Sequence, residues 1–176
     1  MRCFIAVDLD PKLASKVQVL QKELVSLDTK LVAPEDLHFT LKFLGEVDEE
    51  SISMVVKRLK ELAAERDSFD IDIRGAGVFP NEDFIRVVWI GAQKLANLQA
   101  SVNQSLVGLF KKENPSPHLT IARVRSQKHK ENIIAFVKRH KNIEIGRMKI
   151  KEIRLKKSSI NSKGPVYEDI EIFELK

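Results

Sequence analysis

The chain has 176 residues, 43% of them hydrophobic and 31% charged, which suits one globular domain with a sizeable core. Its single cysteine, Cys3, excludes an intramolecular disulfide and a cysteine-based zinc site, and no apolar run is long enough to span a membrane. A net charge of +5 favours an anionic partner such as nucleic acid. The first ten residues, "MRCFIAVDLD", lack the apolar segment of a signal peptide, so we expect a cytoplasmic protein.

Strands and helices alternate along the chain with short connections. In chain order we predict a strand at 2–9, a helix at 11–26, a strand at 38–45, a helix after Asp48, strands at 69–78 and 84–92, a helix at 94–111, a strand at 118–125, a short helix at 130–140, a long strand at 143–155 and a last strand at 166–175. This order indicates an α/β or α+β fold, and the absence of any linker indicates one domain over residues 1–176.

The helices are predicted from apolar residues that recur at helical spacing and from start signals. Asp10 is an N-cap with Pro11 at the first helical position, and Asp48 is the N-cap of the second helix. The inward faces are Leu13, Val17, Leu20 and Leu24; Ile52, Val55, Leu59 and Leu62; and Leu95, Leu98, Val102, Leu106 and Leu109.

Two predicted strands, "LHFTLKFLG" (37–45) and "PHLTIAR" (117–123), carry the same pattern of histidine, apolar residue, threonine and apolar residue. Residues i and i+2 of a strand share a face, so His38 and Thr40 point one way, and His118 and Thr120 do likewise. The two histidines are 80 residues apart, which suggests two similar lobes facing each other across one cleft.

Paired imidazoles and hydroxyls suit displacement at phosphorus. One imidazole accepts the proton of the attacking oxygen and the other protonates the leaving oxygen, because imidazole titrates near neutral pH. Threonine hydroxyls can donate to the non-bridging oxygens. No metal or other cofactor is required. A single H-x-T in a strand is most often structural; the repeat in the same apolar frame favours catalysis. His129 and His140 lie in a charged helical segment and are expected to be solvated.

The duplicated motif resembles that of the two-histidine phosphoesterase superfamily. Within it, the chain is similar to the RNA 2′,3′-cyclic phosphodiesterases, also called LigT-like proteins or 2′-5′ RNA ligases. Similarity extends over nearly the whole chain, through "MRCFIAVDL", "HFTLKFLGEV", "GAGVFPNEDFIRVVWIGA", "SPHLTIARV" and "LKKSSINSKGPVYEDIEIFEL".

The resemblance implies an α+β fold of two lobes related by a pseudo-twofold axis, each an antiparallel sheet backed by helices, with the site in the central cleft. It implies metal-independent opening of RNA 2′,3′-cyclic phosphate to a 2′-phosphate, and in some members reversible 2′-5′ ligation. It makes His38 the proton donor and His118 the proton acceptor. The expected substrate is RNA with a cyclic phosphate end, for example a tRNA fragment, or a small cyclic nucleotide, bound by a monomer without a membrane.

Three further residues are candidates for substrate binding. Lys42 shares the face of His38 in an unbroken strand and could attract phosphate or lie solvated at the rim. Arg123 closes the second motif as the family's arginine does, but strict alternation puts it opposite His118 unless a bulge redirects it. Phe79 could stack on a base or belong to the core. Trp89, Ser158 and Tyr167 are interpreted as structural.

Two other functions remain open. A binding module could capture RNA ends or a nucleotide in the same cleft without turnover, although it would need no pair of imidazoles. A 2′,5′-oligonucleotide phosphodiesterase would share the mechanism and differ in its substrate.

Overall fold

The computed structural model describes all 176 residues and has four helices and one antiparallel sheet of nine strands, which confirms the α+β class. The strands are β1 (Arg2–Asp8), β2 (Thr29–Leu31), β3 (His38–Glu46), β4 (Phe69–Pro80), β5 (Ile85–Gly91), β6 (His118–Val124), β7 (Glu144–Ile150), β8 (Glu152–Asn161) and β9 (Gly164–Glu174). The helices are α1 (Pro11–Lys22), α2 (Glu49–Ala64), α3 (Ala96–Ser105) and α4 (Lys130–Arg139). None of them combines the length and apolarity that crossing a bilayer requires.

The strand order mirrors itself about the centre of the sheet. It runs β7-β4-β5-β6-β3-β1-β8-β9, with β2 attached to β6. The two motif strands, β3 and β6, are the central neighbours, and Phe39 opposite Leu119 is the pair that joins them. Phe39 and Leu119 each directly follow the histidine of their motif. An antiparallel pair of equivalent residues is what a twofold axis between two similar halves requires, and the two halves form one continuous sheet.

Helices α1 and α3 cross from one half of the sheet to the other. Helix α1 follows β1 along the chain but packs on β6 and β7, whereas α3 follows β5 but packs on β3. Helices α2 and α4 stay with their own halves, on β8 and β9 and on β4 respectively. The core lies between sheet and helices and buries the apolar residues of both motifs, including Phe39, Leu41, Leu119 and Ile121. The motif histidines and threonines therefore point to the other face of the sheet.

Two predicted helices are shorter than their apolar pattern. Helix α1 ends at Lys22 rather than at residue 26, because Leu24 is already in a turn, where it stays buried and its carbonyl accepts a hydrogen bond from Thr29 Oγ1 at 2.7 Å. Helix α3 ends at Ser105 rather than 111, and Gly108 then adopts a φ of +89° that a helix does not allow. The predicted caps are confirmed: Asp10 accepts from the backbone N–H of Lys12, and Asp48 from that of Ser51.

The long strand predicted at 143–155 is two strands. Strand β7 pairs with β4 at one edge of the sheet, and β8 pairs with β1 in the other half. The apolar residues change parity at the break, since Met148 and Ile150 are followed by Ile153 and Leu155, so the sequence carried a signal that the prediction of one strand missed. Strand β2, which is three residues long, and the 3₁₀ turn Pro34–Asp36 were not predicted.

Candidate active site

Strand β3 contains a bulge directly after its motif. Thr40 lies opposite Ala6 of β1 and Lys42 lies opposite Ile5, so Leu41 is an extra residue with no partner in β1. A bulge shifts the following side chains by one position. Leu41 and Lys42 are consequently both buried. The prediction that Lys42 shares the face of His38 and Thr40 is wrong because it assumed an unbroken strand.

The Lys42 ammonium group is held inside the protein. It donates to Asn103 Oδ1 at 2.9 Å and to the carbonyl oxygen of Lys111 at 2.7 Å, and the Glu113 carboxylate lies at 3.5 Å. The lysine side chain is 1% exposed. It joins β3 to the segment that leads into His118, so the structure gives it a structural role instead of the predicted contact with substrate.

Strand β6 contains the equivalent bulge. Thr120 lies opposite Trp89 of β5 and Ala122 lies opposite Val88, so Ile121 is the extra residue. Ile121 and Ala122 are both buried, and the next residue, Arg123, is exposed. The bulge thus turns Arg123 to the face of Thr120, which resolves the alternative that the sequence left open.

Both motif histidines are fixed by the same backbone contact. Nδ1 of His38 donates to the carbonyl oxygen of Asp36, and Nδ1 of His118 donates to the carbonyl oxygen of Ser116, each at 2.6 Å. A carbonyl only accepts, so Nδ1 carries a hydrogen on both rings, and Nε2 is the nitrogen that gains or loses a proton. Each imidazole is therefore oriented as an acid–base group with one free nitrogen.

Aromatic rings enclose each imidazole. His38 packs against Phe4 and Tyr167, with ring centroids 5.1 and 5.3 Å apart, and the contact with Tyr167 is edge-on. His118 packs edge-on against Phe79 at 4.7 Å and near Trp89 at 6.4 Å. Phe79, a predicted site residue, does lie at the site. Tyr167 and Trp89, which were interpreted from the sequence as structural only, contact the imidazoles as well.

Burial lowers the pKa of both histidines below the ordinary value of imidazole. For His38, the hydrogen bond to Asp36 and the nearby Asp8 carboxylate oppose this decrease, while the positive charges of Lys156 and Arg123 add to it. For His118, the hydrogen bond to Ser116 opposes the decrease and Arg123 adds to it. The charge of Arg123 therefore acts on both rings.

The charged surroundings of the two rings differ, because Asp8 and Lys156 act on His38 only. Asp8 of β1 lies directly opposite His38, and its carboxylate binds Lys156 at 3.0 Å and Arg154 at 3.3 Å. The position opposite His118 is occupied by Gly91. Only His38 therefore has a carboxylate beside it that favours the protonated form.

The threonines complete a symmetric arrangement. Counting outward from the pair of Phe39 and Leu119 puts His38 across from Thr120 and Thr40 across from His118. The threonine hydroxyls have no hydrogen-bond partner in the protein and are not sealed from solvent. The motifs thus bring two imidazoles and two free hydroxyls to one central position of the sheet, which is the set that acid–base chemistry at a phosphate uses.

Three buried carboxamides hold the motif strands in place, and one of them, Gln99 of α3, donates to the carbonyl of Thr40 at 3.4 Å and accepts from the N–H of Ser116 at 2.9 Å. Gln21 of α1 donates from Nε2 to the carbonyls of Ile121 and Val32, both at 2.8 Å, which ties the β6 bulge to the segment that leads into His38. Asn103 of α3 accepts from the backbone N–H of Glu113 at 3.1 Å, and its Nδ2 lies 3.5 Å from the carbonyl of Leu41. Each crossing helix therefore connects the bulge of one motif to the segment before the other histidine.

The remaining histidines lie outside this site. His140 is not solvated as predicted, since its Nε2 contacts the Glu23 carboxylate at 2.9 Å and its ring packs against Phe136. His129 precedes α4 and has no side-chain cap contact. No group of three or more histidine, cysteine, aspartate and glutamate side chains is arranged to hold a metal ion.

Comparison with known proteins finds similarity over the whole chain. The family model described as LigT like Phosphoesterase matches residues 7–89 and 91–167. A protein of Methanothermobacter thermautotrophicus named RNA 2′,3′-cyclic phosphodiesterase is 38% identical, with 99% of both chains covered. A protein of the same name from Archaeoglobus fulgidus is 39% identical and covers 99% of this chain and 100% of its own.

Solved structures show the same fold. The crystal structure of TT0787 from Thermus thermophilus is 28% identical and matches with a TM-score of 0.85 over 99% of this chain and 98% of the other. The structure of E. coli LigT in apo form matches with a TM-score of 0.79 at 21% identity, over 99% and 97% of the two chains.

Proposed function

The chain belongs to the LigT-like phosphoesterase family, and from that premise we propose that it hydrolyses RNA 2′,3′-cyclic phosphate ends to 2′-phosphates. The observation that carries the proposal is the pair of imidazoles fixed through Nδ1, with Nε2 free on each ring. A binding module would have no use for two such groups in equivalent positions.

In the proposed reaction, Nε2 of His118 accepts a proton from water as the water oxygen bonds to phosphorus. Nε2 of His38 donates its proton to the 3′-oxygen as the bond from phosphorus to that oxygen breaks. The products are a 2′-phosphate and a 3′-hydroxyl, and exchange with solvent restores the two protonation states. The family resemblance supports this division of roles, and the Asp8 carboxylate beside His38 partly offsets the decrease in its pKa that burial causes.

The hydroxyls of Thr40 and Thr120 donate to the non-bridging oxygens of the phosphate, where negative charge builds up as the bonds change. Arg123, on the same face after the β6 bulge, adds positive charge beside them. Phe79 contacts His118 and offers a ring for a base. The same displacement with a sugar hydroxyl in place of water would join RNA through a 2′-5′ linkage.

We infer that the substrate is an RNA or a small nucleotide with a cyclic phosphate end. Both motifs come from one chain, so a monomer has a complete site. A single cysteine agrees with the reducing cytoplasm.

The test is product analysis with an oligoribonucleotide that ends in a 2′,3′-cyclic phosphate. We expect a 2′-phosphate product, activity that EDTA leaves unchanged, and a decrease in kcat of at least about 100-fold for His38→Ala or His118→Ala. His129→Ala is the matched control and should keep full activity. Binding of the oligonucleotide without product would favour a binding module, a 3′-phosphate product would contradict the assigned leaving group, and loss of activity in EDTA would contradict the metal-free mechanism.

A further inference from the structure

A groove runs along the ends of β5 and β6, beside the candidate active site. Residues 84–87 and 123–127 line it, and its volume is about 520 Å³, within the range of ligand sites. Arg123 belongs to both places, because it lines the groove and the β6 bulge turns it to the face of Thr120. The groove, which we call the arginine groove, is therefore continuous with the position of the reacting phosphate.

The groove is cationic. Three of its nine lining residues are arginines (Arg86, Arg123 and Arg125), and none is an aspartate or a glutamate. All three arginines are exposed, and no carboxylate lies within salt-bridge distance of them, whereas Arg147 and Arg154 elsewhere in the sheet are paired with acidic residues. Unpaired arginines can give their full charge and their hydrogen-bond donors to a ligand.

The spacing of these groups fits a polynucleotide. Arg123 is in β6 and Arg125 directly follows its last residue, so the two are at most about 7 Å apart along the chain, comparable to the distance between successive phosphates of an extended single strand. Phe84 is 47% exposed at the groove, and the Arg86 guanidinium lies 5.3 Å from the centre of its ring. An exposed aromatic ring beside arginines is the arrangement that binds single-stranded nucleic acid by stacking and by charge.

The groove is also rigid. The side chain of Gln127 pairs with the backbone of Ile85 in both directions: Nε2 donates to the carbonyl at 2.7 Å, and Oε1 accepts from the N–H at 2.9 Å. These two bonds connect the start of β5 to the segment after β6, so the groove keeps its shape without a ligand and little ordering is needed on binding.

We propose that the arginine groove binds the RNA chain on the 5′ side of the terminal cyclic phosphate, so that the protein prefers oligonucleotides to mononucleotides. This inference rests on the proposed function, since it starts from a cyclic phosphate bound between His38 and His118. Arg86 and Arg125 contact the phosphates of the preceding nucleotides, and Phe84 stacks on one of their bases.

The first test compares kcat/KM for a nucleoside 2′,3′-cyclic phosphate and for a pentaribonucleotide with the same end. Neither Arg86 nor Arg125 belongs to a motif, so the double variant Arg86→Ala/Arg125→Ala should keep its activity on the mononucleotide. For the pentanucleotide, loss of two phosphate contacts reduces the salt dependence, d log(kcat/KM)/d log[salt], by about 1.4. If the two proteins have equal kcat/KM at about 1 M salt, this difference in slope makes kcat/KM of the double variant about 25-fold lower than that of the unmodified protein at about 0.1 M. Arg147→Ala, on the edge strand β7, is the control for loss of an arginine.

The second test needs no turnover. Fluorescence anisotropy with a labelled pentanucleotide that ends in a 3′-phosphate should show weaker binding by the double variant and unchanged binding by Arg147→Ala. Three results would overturn the groove proposal. They are an equal loss of kcat/KM on both substrates in the double variant, no loss on the pentanucleotide, and competition by polyglutamate as effective as that by unlabelled pentanucleotide. If the unmodified protein hydrolyses neither substrate but binds the pentanucleotide through Arg86 and Arg125, the proposed function fails, and what stands is only that the arginine groove binds RNA.

Discussion

Replacement of Gln21 by methionine tests whether the buried carboxamides position the motifs. Methionine keeps the length and the helix propensity of glutamine but has no donor. The variant loses two hydrogen bonds of 2.8 Å, to the carbonyls of Val32 and Ile121. The carbonyl of Ile121 still accepts from the N–H of Val32 at 3.0 Å, so the loss of its hydrogen bond to Gln21 costs about 1 kcal/mol. The Val32 carbonyl keeps none, which costs about 1–3 kcal/mol. The expected decrease in the free energy of unfolding is therefore about 2–4 kcal/mol.

Urea unfolding and turnover of a cyclic phosphate measure the two consequences. Gln18→Met is the matched control, because Gln18 is on the exposed face of the same helix and the substitution is identical. The segment that Gln21 holds leads into His38, and its second contact is the bulge that directs Arg123, so kcat should fall by about 10- to 100-fold under conditions in which the variant is folded.

Equal urea midpoints for Gln21→Met and Gln18→Met would refute the energetic reasoning. A variant that is destabilised as expected but keeps the full kcat would refute the positioning role and leave Gln21 as a residue of the core only.

Three further predictions concern the pH profile, the aromatic enclosure and the buried lysine. Because burial lowers the pKa of His38 and His118, the bell-shaped curve of kcat/KM should be centred below pH ~6.5. The same lowered pKa values affect the free energy of unfolding: the contribution of these two histidines is complete above pH ~6.5 and is lost as the pH falls below it. In Gly77→Ala the new Cβ would overlap the six-membered ring of Trp89, so the indole must move. We expect kcat to fall and the fluorescence of this single tryptophan to change. Lys42→Met should lower the free energy of unfolding by about 1–3 kcal/mol, because the Lys111 carbonyl loses its donor, and should leave KM unchanged.

Each of these has a contrary outcome. A kcat/KM curve with both limbs above pH ~7 would contradict the effect of burial on the imidazoles. Unchanged fluorescence and kcat in Gly77→Ala would mean that the indole does not support His118. A tenfold increase in KM for Lys42→Met would restore the role in substrate binding that the sequence predicted.

The positions of most strands and helices followed from local pattern, and the reasons are local. The caps at Asp10 and Asp48 depend on residues two or three positions away. Helix ends were less predictable, because Leu24 and Leu106 stay buried in turns and extend the apolar period beyond the helices. The break at Lys151 could have been read from the change of parity between Ile150 and Ile153, but no period-two pattern shows which strands β7 and β8 join.

For the candidate site, the sequence by itself determined that His38 and Thr40, and His118 and Thr120, share a face within each strand, because side chains of a strand alternate. Only the tertiary structure decided which later residues join them. Two bulges, set by pairing with β1 and β5, bury Lys42 and bring Arg123 to the site. A bulge arises between two strands that are distant in sequence, so the alternation read along one strand cannot show where its partner interrupts it.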